Sequence, residues 1–202
     1  YQRSFGERLF RSMLFALLPY PSRLRIALAP LVVFGSLLRA LERGRLLDAL
    51  PSRIRSLIAL APRPTFRSLA AKTPEHTPAL GSPRMTVAVL TGCVQRLAFA
   101  DVNRATIHVL AAEGCSVQAP AAQRCCGALA LHAGSLKQAR ELARHNIRVF
   151  ERTSVERIVV NAAGCGSAMK EYGELLRDDP GWADRARAFS EKVRDVSELL
   201  TE

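Results

Sequence analysis

Met85-Thr86-Val87-Ala88-Val89-Leu90-Thr91-Gly92-Cys93 is a β-rich run that ends on a threonine, a glycine and a cysteine. The same grammar returns twice. Cys115 to Ala119 reads as a second strand, followed after a short loop by Cys125-Cys126-Gly127, and Arg157 to Asn161 reads as a third, running into Ala162-Ala163-Gly164-Cys165. Helical patterns fill the intervals. Asn103 to Glu113 closes at Gly114, a residue suited to a helix C-terminus, and Ser135 to Arg152 is a long helix with Ser135 as its cap. A β-α-β-α-β order predicts an α/β domain with a small parallel sheet, right-handed crossovers and flanking helices. Beyond Cys165 the pattern is helical over Ser167 to Leu176, breaks at Asp179-Pro180-Gly181, and is helical again from Trp182 to Leu200.

Upstream the composition changes. From Arg3 to Leu60 apolar residues and arginines interleave at helical spacing, with breaks at Leu18-Pro19-Tyr20-Pro21 and Leu50-Pro51, which predicts three helices and a kink at Pro30. Pro62, Pro64, Pro74, Pro78 and Pro83 then mark a linker. The expected organisation is a basic helical segment at 1–60, a Pro-rich linker at 61–84 and a cysteine-bearing α/β domain at 85–202.

The net charge of +11 belongs almost entirely to the first part, since residues 1–85 carry 14 Lys/Arg against 4 Asp/Glu and residues 86–202 carry 15 against 14. The arginines alternate with leucines and few aromatics accompany them, so an acidic partner subunit ranks first, an anionic membrane surface second and nucleic acid last. Ile26 to Leu38 is the longest uncharged apolar stretch, interrupted by Pro30 and Gly35 and short of the roughly 20 residues that span a bilayer. No basic-then-apolar leader precedes it, and Tyr1 opens inside an amphipathic pattern, so the sequence reads as the middle of a longer protein. A cytoplasmic setting, at the inner face of the membrane if the basic helices touch it, is the expectation.

In an open parallel sheet the carboxyl ends of the strands share one rim, where ligands bind. Cys93, Cys125, Cys126 and Cys165 all follow strand ends, so three distant loops converge there. Four convergent thiolates are what an iron–sulfur cluster needs. Gly92, Gly127, Gly164 and Gly166 are expected to let the backbone approach closely, and helix starts nearby to favour thiolate. Cys115, inside a strand, is assigned to the core. Zinc also accepts four thiolates, and a zinc-stabilised scaffold docking partner proteins is the alternative, but its sites usually take Cys-x-x-Cys pairs, which this chain lacks. Thiol–disulfide exchange at the vicinal pair ranks last, for want of a Cys-x-x-Cys motif or an adjacent base. His132 and His145 fit ordinary core or surface histidines better than ligands. Gly164-Cys165-Gly166 is no dinucleotide loop, since position 169 is Met. Lys170, Glu171 and Tyr172 fit either a solvated helix face or groups that tune a cluster.

The order Cys, then Cys-Cys-Gly, then a cysteine in a Gly-rich turn resembles the cysteine-rich CCG domain of heterodisulfide reductase B-type subunits. Thr91-Gly92-Cys93-Val94-Gln95, Cys125-Cys126-Gly127-Ala128-Leu129, His145-Asn146-Ile147 and Ala163-Gly164-Cys165-Gly166-Ser167-Ala168-Met169-Lys170-Glu171-Tyr172-Gly173 resemble the glycolate oxidase iron–sulfur subunit family over nearly the whole chain. That family also carries a basic helical stretch before the CCG domain, a ferredoxin-like domain ahead of it and a second CCG repeat after it. The resemblance implies that Cys93, Cys125, Cys126 and Cys165 hold one cluster, of the 4Fe–4S type. It implies a subunit, without catalytic residues of its own, that takes electrons from flavoprotein partners oxidising glycolate to glyoxylate and passes them toward a quinone pool. Flavin would reside only in the partners. The general CCG motif ends in Cys-x-x-Cys, whereas this chain has Ala168 at the last position, which speaks against a five-thiolate noncubane cluster.

Overall fold

A computed structural model of the chain describes residues 4–35, 51–52, 55–56 and 65–202. The first helix, α1 (Phe5–Leu17), starts with a capping box in which the Glu7 N–H donates to Ser4 Oγ at 3.3 Å and the Ser4 N–H donates to Glu7 Oε2 at 3.0 Å. The chain breaks where Pro19 and Pro21 predict. It then enters α2 (Pro21–Val33), whose first-turn proline costs no helical hydrogen bond and whose Pro30 lies inside the helix. The third expected helix falls largely outside the described residues.

Next come α3 (Phe66–Ala70), β1 (His76–Thr77), β2 (Met85–Val89), α4 (Gln95–Ala98), α5 (Ala100–Ala112) and β3 (Cys115–Gln118). After them lie α6 (Ala128–His132), α7 (Leu136–Glu151), β4 (Arg157–Val160), α8 (Ala163–Lys170), α9 (Tyr172–Leu175), α10 (Ala183–Lys192), β5 (Val193–Asp195) and α11 (Val196–Thr201). The strand order is β1-β3-β2-β4-β5. β3, β2 and β4 run parallel, as the alternating pattern predicts, with Val87 opposite both Val117 and Arg157, and β5 adds to them parallel to β4.

The sheet departs from the expectation in being mixed rather than purely parallel. β1, from within the Pro-rich segment, pairs antiparallel with β3, Thr77 opposite Val117. Two residues are too few for any periodicity, and Pro74 and Pro78 on either side keep this edge from extending. The second departure is β5, three residues inside what reads as one helix from Trp182 to Leu200. Val193 is fully buried opposite Ile158, so tertiary pairing overrides the local helical pattern. The third is at α7: Ser135 occupies the cap position, but its side chain caps nothing. That helix is held by its buried stripe, Ala139, Leu142, Ala143, Asn146, Ile147 and Phe150.

Alternation along the strands sends side chains to two cores. Ala88, Leu90, Ile158 and Val160 pack with Ile147, Phe150, Met169, Tyr172 and Phe189 on one face, and Val87, Val89, Val117 and Val159 pack with Ile107, Leu110 and Leu199 on the other. Each such aliphatic or aromatic side chain contributes about 1.5–3 kcal/mol by burial. Behind the first core Trp182 lies between Arg148 and Arg185, whose guanidinium carbons are 5.3 and 4.0 Å from its ring centroid. Arg185 also pairs with Glu151, so this cluster clamps α10 to α7. A third, smaller cluster of Leu24, Leu28, Leu69 and Leu97 seats α2 and α3 against α4. Gln138 also donates to the Phe15 carbonyl at 3.2 Å, and the Arg11 guanidinium to the carbonyl of Ala133, which ties α1 to the turn before α7.

Gly114 turns the chain from α5 into β3 at φ +79°, and a Cβ there would lie 2.9 Å from the Ser82 carbonyl oxygen. Gly134 has the same φ of +79° with nothing within 4 Å. Urea denaturation should therefore show Gly114→Ala losing roughly 2–4 kcal/mol, the left-handed penalty plus the clash, against about 1–2 kcal/mol for Gly134→Ala. Equal losses at the two positions would contradict the close approach.

Candidate metal centre

The site is built by strand order. β2 lies between β3 and β4, so the chain leaves β2 toward one side and later returns on the other, opening a crevice at the carboxyl ends of these strands. Cys93 follows β2, Cys125 and Cys126 lie between β3 and α6, and Cys165 follows β4. The four sulfurs meet there in two pairs. The Cys93 thiol contacts Cys125 Sγ at 3.5 Å, and the Cys126 thiol contacts Cys165 Sγ at 3.1 Å. Cys125 and Cys126 are buried, while Cys93 and Cys165 are partly exposed at the mouth. Cys115 is fully buried in the second core, where the sequence reading puts it.

Side-chain amides bind the three loops to one another. Gln123 accepts from the Thr91 N–H at 2.7 Å and donates to the Val89 carbonyl at 3.2 Å, joining the loop after β3 to the end of β2. Asn103 donates to the Thr91 carbonyl at 2.9 Å. Asn161 then donates to Asn103 Oδ1 at 3.1 Å and to Thr106 Oγ1 at 2.8 Å, and accepts from Gln95 at 2.7 Å, which brings in the end of β4. The vicinal pair has its own clamp. Asn146 accepts from the Arg124 N–H at 2.9 Å and donates to the Cys125 carbonyl at 3.0 Å, while the Tyr172 hydroxyl donates to the Cys126 carbonyl at 2.6 Å. Among the described residues no buried side-chain nitrogen or oxygen lacks a partner.

Gly127 follows the vicinal pair at φ +87° and starts α6, with the backbone of Ala139 3.4 Å from where its Cβ would stand. Gly164 has open space around it and Gly166 has only Val160 at 3.8 Å, so close approach does not explain those two glycines. They belong to the first turns of α8, which begins at Ala163 and so contains Cys165, rather than to a loop.

The amides of Val94, Gly127 and Ala128, at the helix starts, do favour the thiolates of Cys93, Cys125 and Cys126 respectively, but larger effects outweigh them. Cys93 is pushed well above the ordinary thiol range, first by its hydrogen bond with Cys125 and then by burial. Cys125 is pushed up to about 11 by its contact with Cys126 and by burial, against a lowering contact from Cys93. Cys126 is lowered by Cys125 but pushed up to about 12 by Cys165 and burial. Burial and thiol–thiol contact outweigh the short helix α6, which supplies little dipole. A set of protonated, mutually bonded thiols gives up its protons when a cation repays the buried charge.

Among the described residues no group of three or more His, Cys, Asp or Glu side chains is disposed around a position for a single ion. The sulfurs touch pairwise instead, so holding a metal group requires the thiols to turn apart about their side-chain bonds while the clamped backbones stay in place. The donor set is soft and all-thiol, which suits iron–sulfur clusters and zinc. Ala168 is buried and offers no donor.

The histidines lie apart from this set: His145 Nε2 is 2.8 Å from the Ala122 carbonyl oxygen, and His132 is exposed. Lys170 pairs with Glu198 at 2.7 Å, on the surface, whereas Tyr172 faces the site. The roles of Gln123, Asn103 and Asn161 escape the sequence reading. A signal existed: Asn103 shares the buried stripe of α5 with Ala100, Ile107 and Leu110, and an amide there demands partners.

An α/β rim bearing a vicinal cysteine pair and two further cysteines defines a class, and residues 87–170 match the family model of the CCG cysteine-rich domain. The likeness to that family lies in this domain, about two fifths of the chain. Over its whole length it is 35% identical to the probable glycolate oxidase iron-sulfur subunit of Bacillus subtilis (strain 168), of which it spans 46%. It is 32% identical to lactate utilization protein A of Bacillus cytotoxicus over 58% of the chain and 48% of that protein. The corresponding protein of an Exiguobacterium strain is 33% identical over 57% of the chain and 47% of its own length. The chain thus spans about half the length of these curated relatives. No solved structure matches it.

The clamp on the vicinal pair is open to test. Tyr172→Phe strands a buried carbonyl and should cost about 1–3 kcal/mol in chemical denaturation. Asn146→Ala, which strands both an N–H and a carbonyl, should cost more, roughly 2–5 kcal/mol. A Tyr172→Phe variant as stable as the parent would mean that the hydroxyl contact holds nothing.

Proposed function

We propose that Cys93, Cys125, Cys126 and Cys165 together hold one iron–sulfur cluster of the 4Fe–4S type. The chain is then part of an electron-relay subunit in a flavin-linked 2-hydroxy-acid dehydrogenase acting on glycolate. The observation that carries this reading is the meeting of four sulfurs from three sequence-distant loops at one rim, on backbones held by side-chain clamps. The names of the relatives, an iron-sulfur subunit of glycolate oxidase and a lactate utilization protein, support the substrate class.

In this reading the cluster supplies reversible one-electron storage. The protein's own part is to fix the four thiolates, to keep most of the sulfur out of water and to leave Cys93 and Cys165 at the mouth, where an electron passes in or out. Flavoprotein subunits of the same complex donate, and a membrane quinone pool accepts. No helix among the described residues is long and apolar enough to cross a membrane. The basic helical segment, with Phe5, Leu9, Phe10 and Met13 exposed on α1, docks a partner subunit first and an anionic membrane surface second, on the cytoplasmic side.

Iron, sulfide and zinc analysis with EPR on anaerobically prepared protein decides between this and a zinc-stabilised scaffold. Iron with matching sulfide and a visible absorption that bleaches on reduction is the expected result. Cys126→Ser should abolish it, and Cys115→Ala should retain it at a stability cost of about 1–2 kcal/mol. Stoichiometric zinc without iron, or colourless protein after careful reconstitution, overturns the reading.

A further inference from the structure

Beside the cysteine rim, a cleft of about 630 Å³ opens between α2, residues 71–75 and the loops after β2 and β3. That volume is within the range of small-molecule sites. Its wall carries three cations, Arg25, Lys72 and Arg96, against one carboxylate, Glu75. None of the three cations forms an ion pair among the described residues. Arg96 is the anchor. Its Nε and Nη2 both donate to Thr91 Oγ1, at 3.0 and 2.7 Å, which fixes the guanidinium plane at the cleft wall. Burial disfavours its charge, Cys93 favours it, and nearby Arg25 adds like-charge repulsion that an anion between the two cations would relieve. Ala71, Pro74, Ala119 and Pro120 supply apolar wall between the charges, a surface for carbon rather than for a bare inorganic ion.

We propose that this cleft binds a small organic dianion of the dicarboxylate class, one carboxylate meeting the Nη1 end of the Arg96 guanidinium, whose opposite edge Thr91 holds, and the other meeting Arg25 and Lys72. Three cations opposed by one carboxylate match a double negative charge, and the planar guanidinium suits a carboxylate's two oxygens. The cleft contains none of the four cysteines, though Arg96 feels the charge of Cys93, so iron is followed alongside binding.

Isothermal titration of the purified protein with succinate tests it, with acetate and inorganic phosphate as parallel arms and iron measured on the same preparation. The expected result is saturable one-to-one succinate binding that weakens as salt rises, with acetate and phosphate at least about tenfold weaker. Arg25→Gln and Lys72→Gln, both exposed positions without hydrogen bonds to lose, should each weaken succinate about tenfold while leaving the melting temperature unchanged. Absence of saturable binding, indifference to both substitutions, or phosphate binding as tightly as succinate overturns the proposal, whatever the iron content.

Discussion

The rim of the sheet holds together because buried amide groups must be satisfied. Peptide N–H and carbonyl groups at Val89, Thr91, Arg124, Cys125 and Cys126 leave the strand ladder just where the chain has to bring cysteines together. Gln123, Asn103, Asn146 and Tyr172 replace the lost partners. Leaving any one of them unpaired costs on the order of a strong hydrogen bond. The loops therefore have one low-energy arrangement, and it is the one that sets four sulfurs side by side. The hydrophobic cores beneath supply most of the stability, but they would tolerate other loop geometries; the amides would not.

This division explains why the thiols can be both clustered and adaptable. Their backbones are fixed, through the Cys125 and Cys126 carbonyls and through the first turn of α8, while the sulfurs are held by contact with one another, by the core around Cys125 and Cys126, and by the Gly127 N–H, 3.5 Å from Cys125 Sγ. Protonated thiols packed in pairs need no counter-charge, which suits a buried place. A metal group held as proposed would replace thiol–thiol contacts with metal–thiolate bonds.

Much of the architecture can be read from residue patterns, because β2, β3, β4, α5 and α7 are long enough for burial to impose a period on them. The parallel order of these strands then brings the cysteines to one rim without any knowledge of side-chain contacts. What cannot be read is short or non-local. β1 and β5 are two and three residues long, and only their partners make them strands. The amide network is likewise invisible: Gln123 touches Thr91 across a chain separation of 32 residues, and nothing near either one in sequence announces it. The thiols are raised overall for the same reason: the helix-start amides lower them, as the local pattern suggests, but contact between distant cysteines and burial outweigh that.

Trp182, held between Arg148 and Arg185, is the single tryptophan of the chain. Its indole stands on the seam between α7 and α10, the layer that backs Tyr172 through the stacked ring of Phe189, 5.3 Å from it centroid to centroid. Its emission thus reports on that seam, and loosening of the support behind the rim would show as a change in the surroundings of one indole.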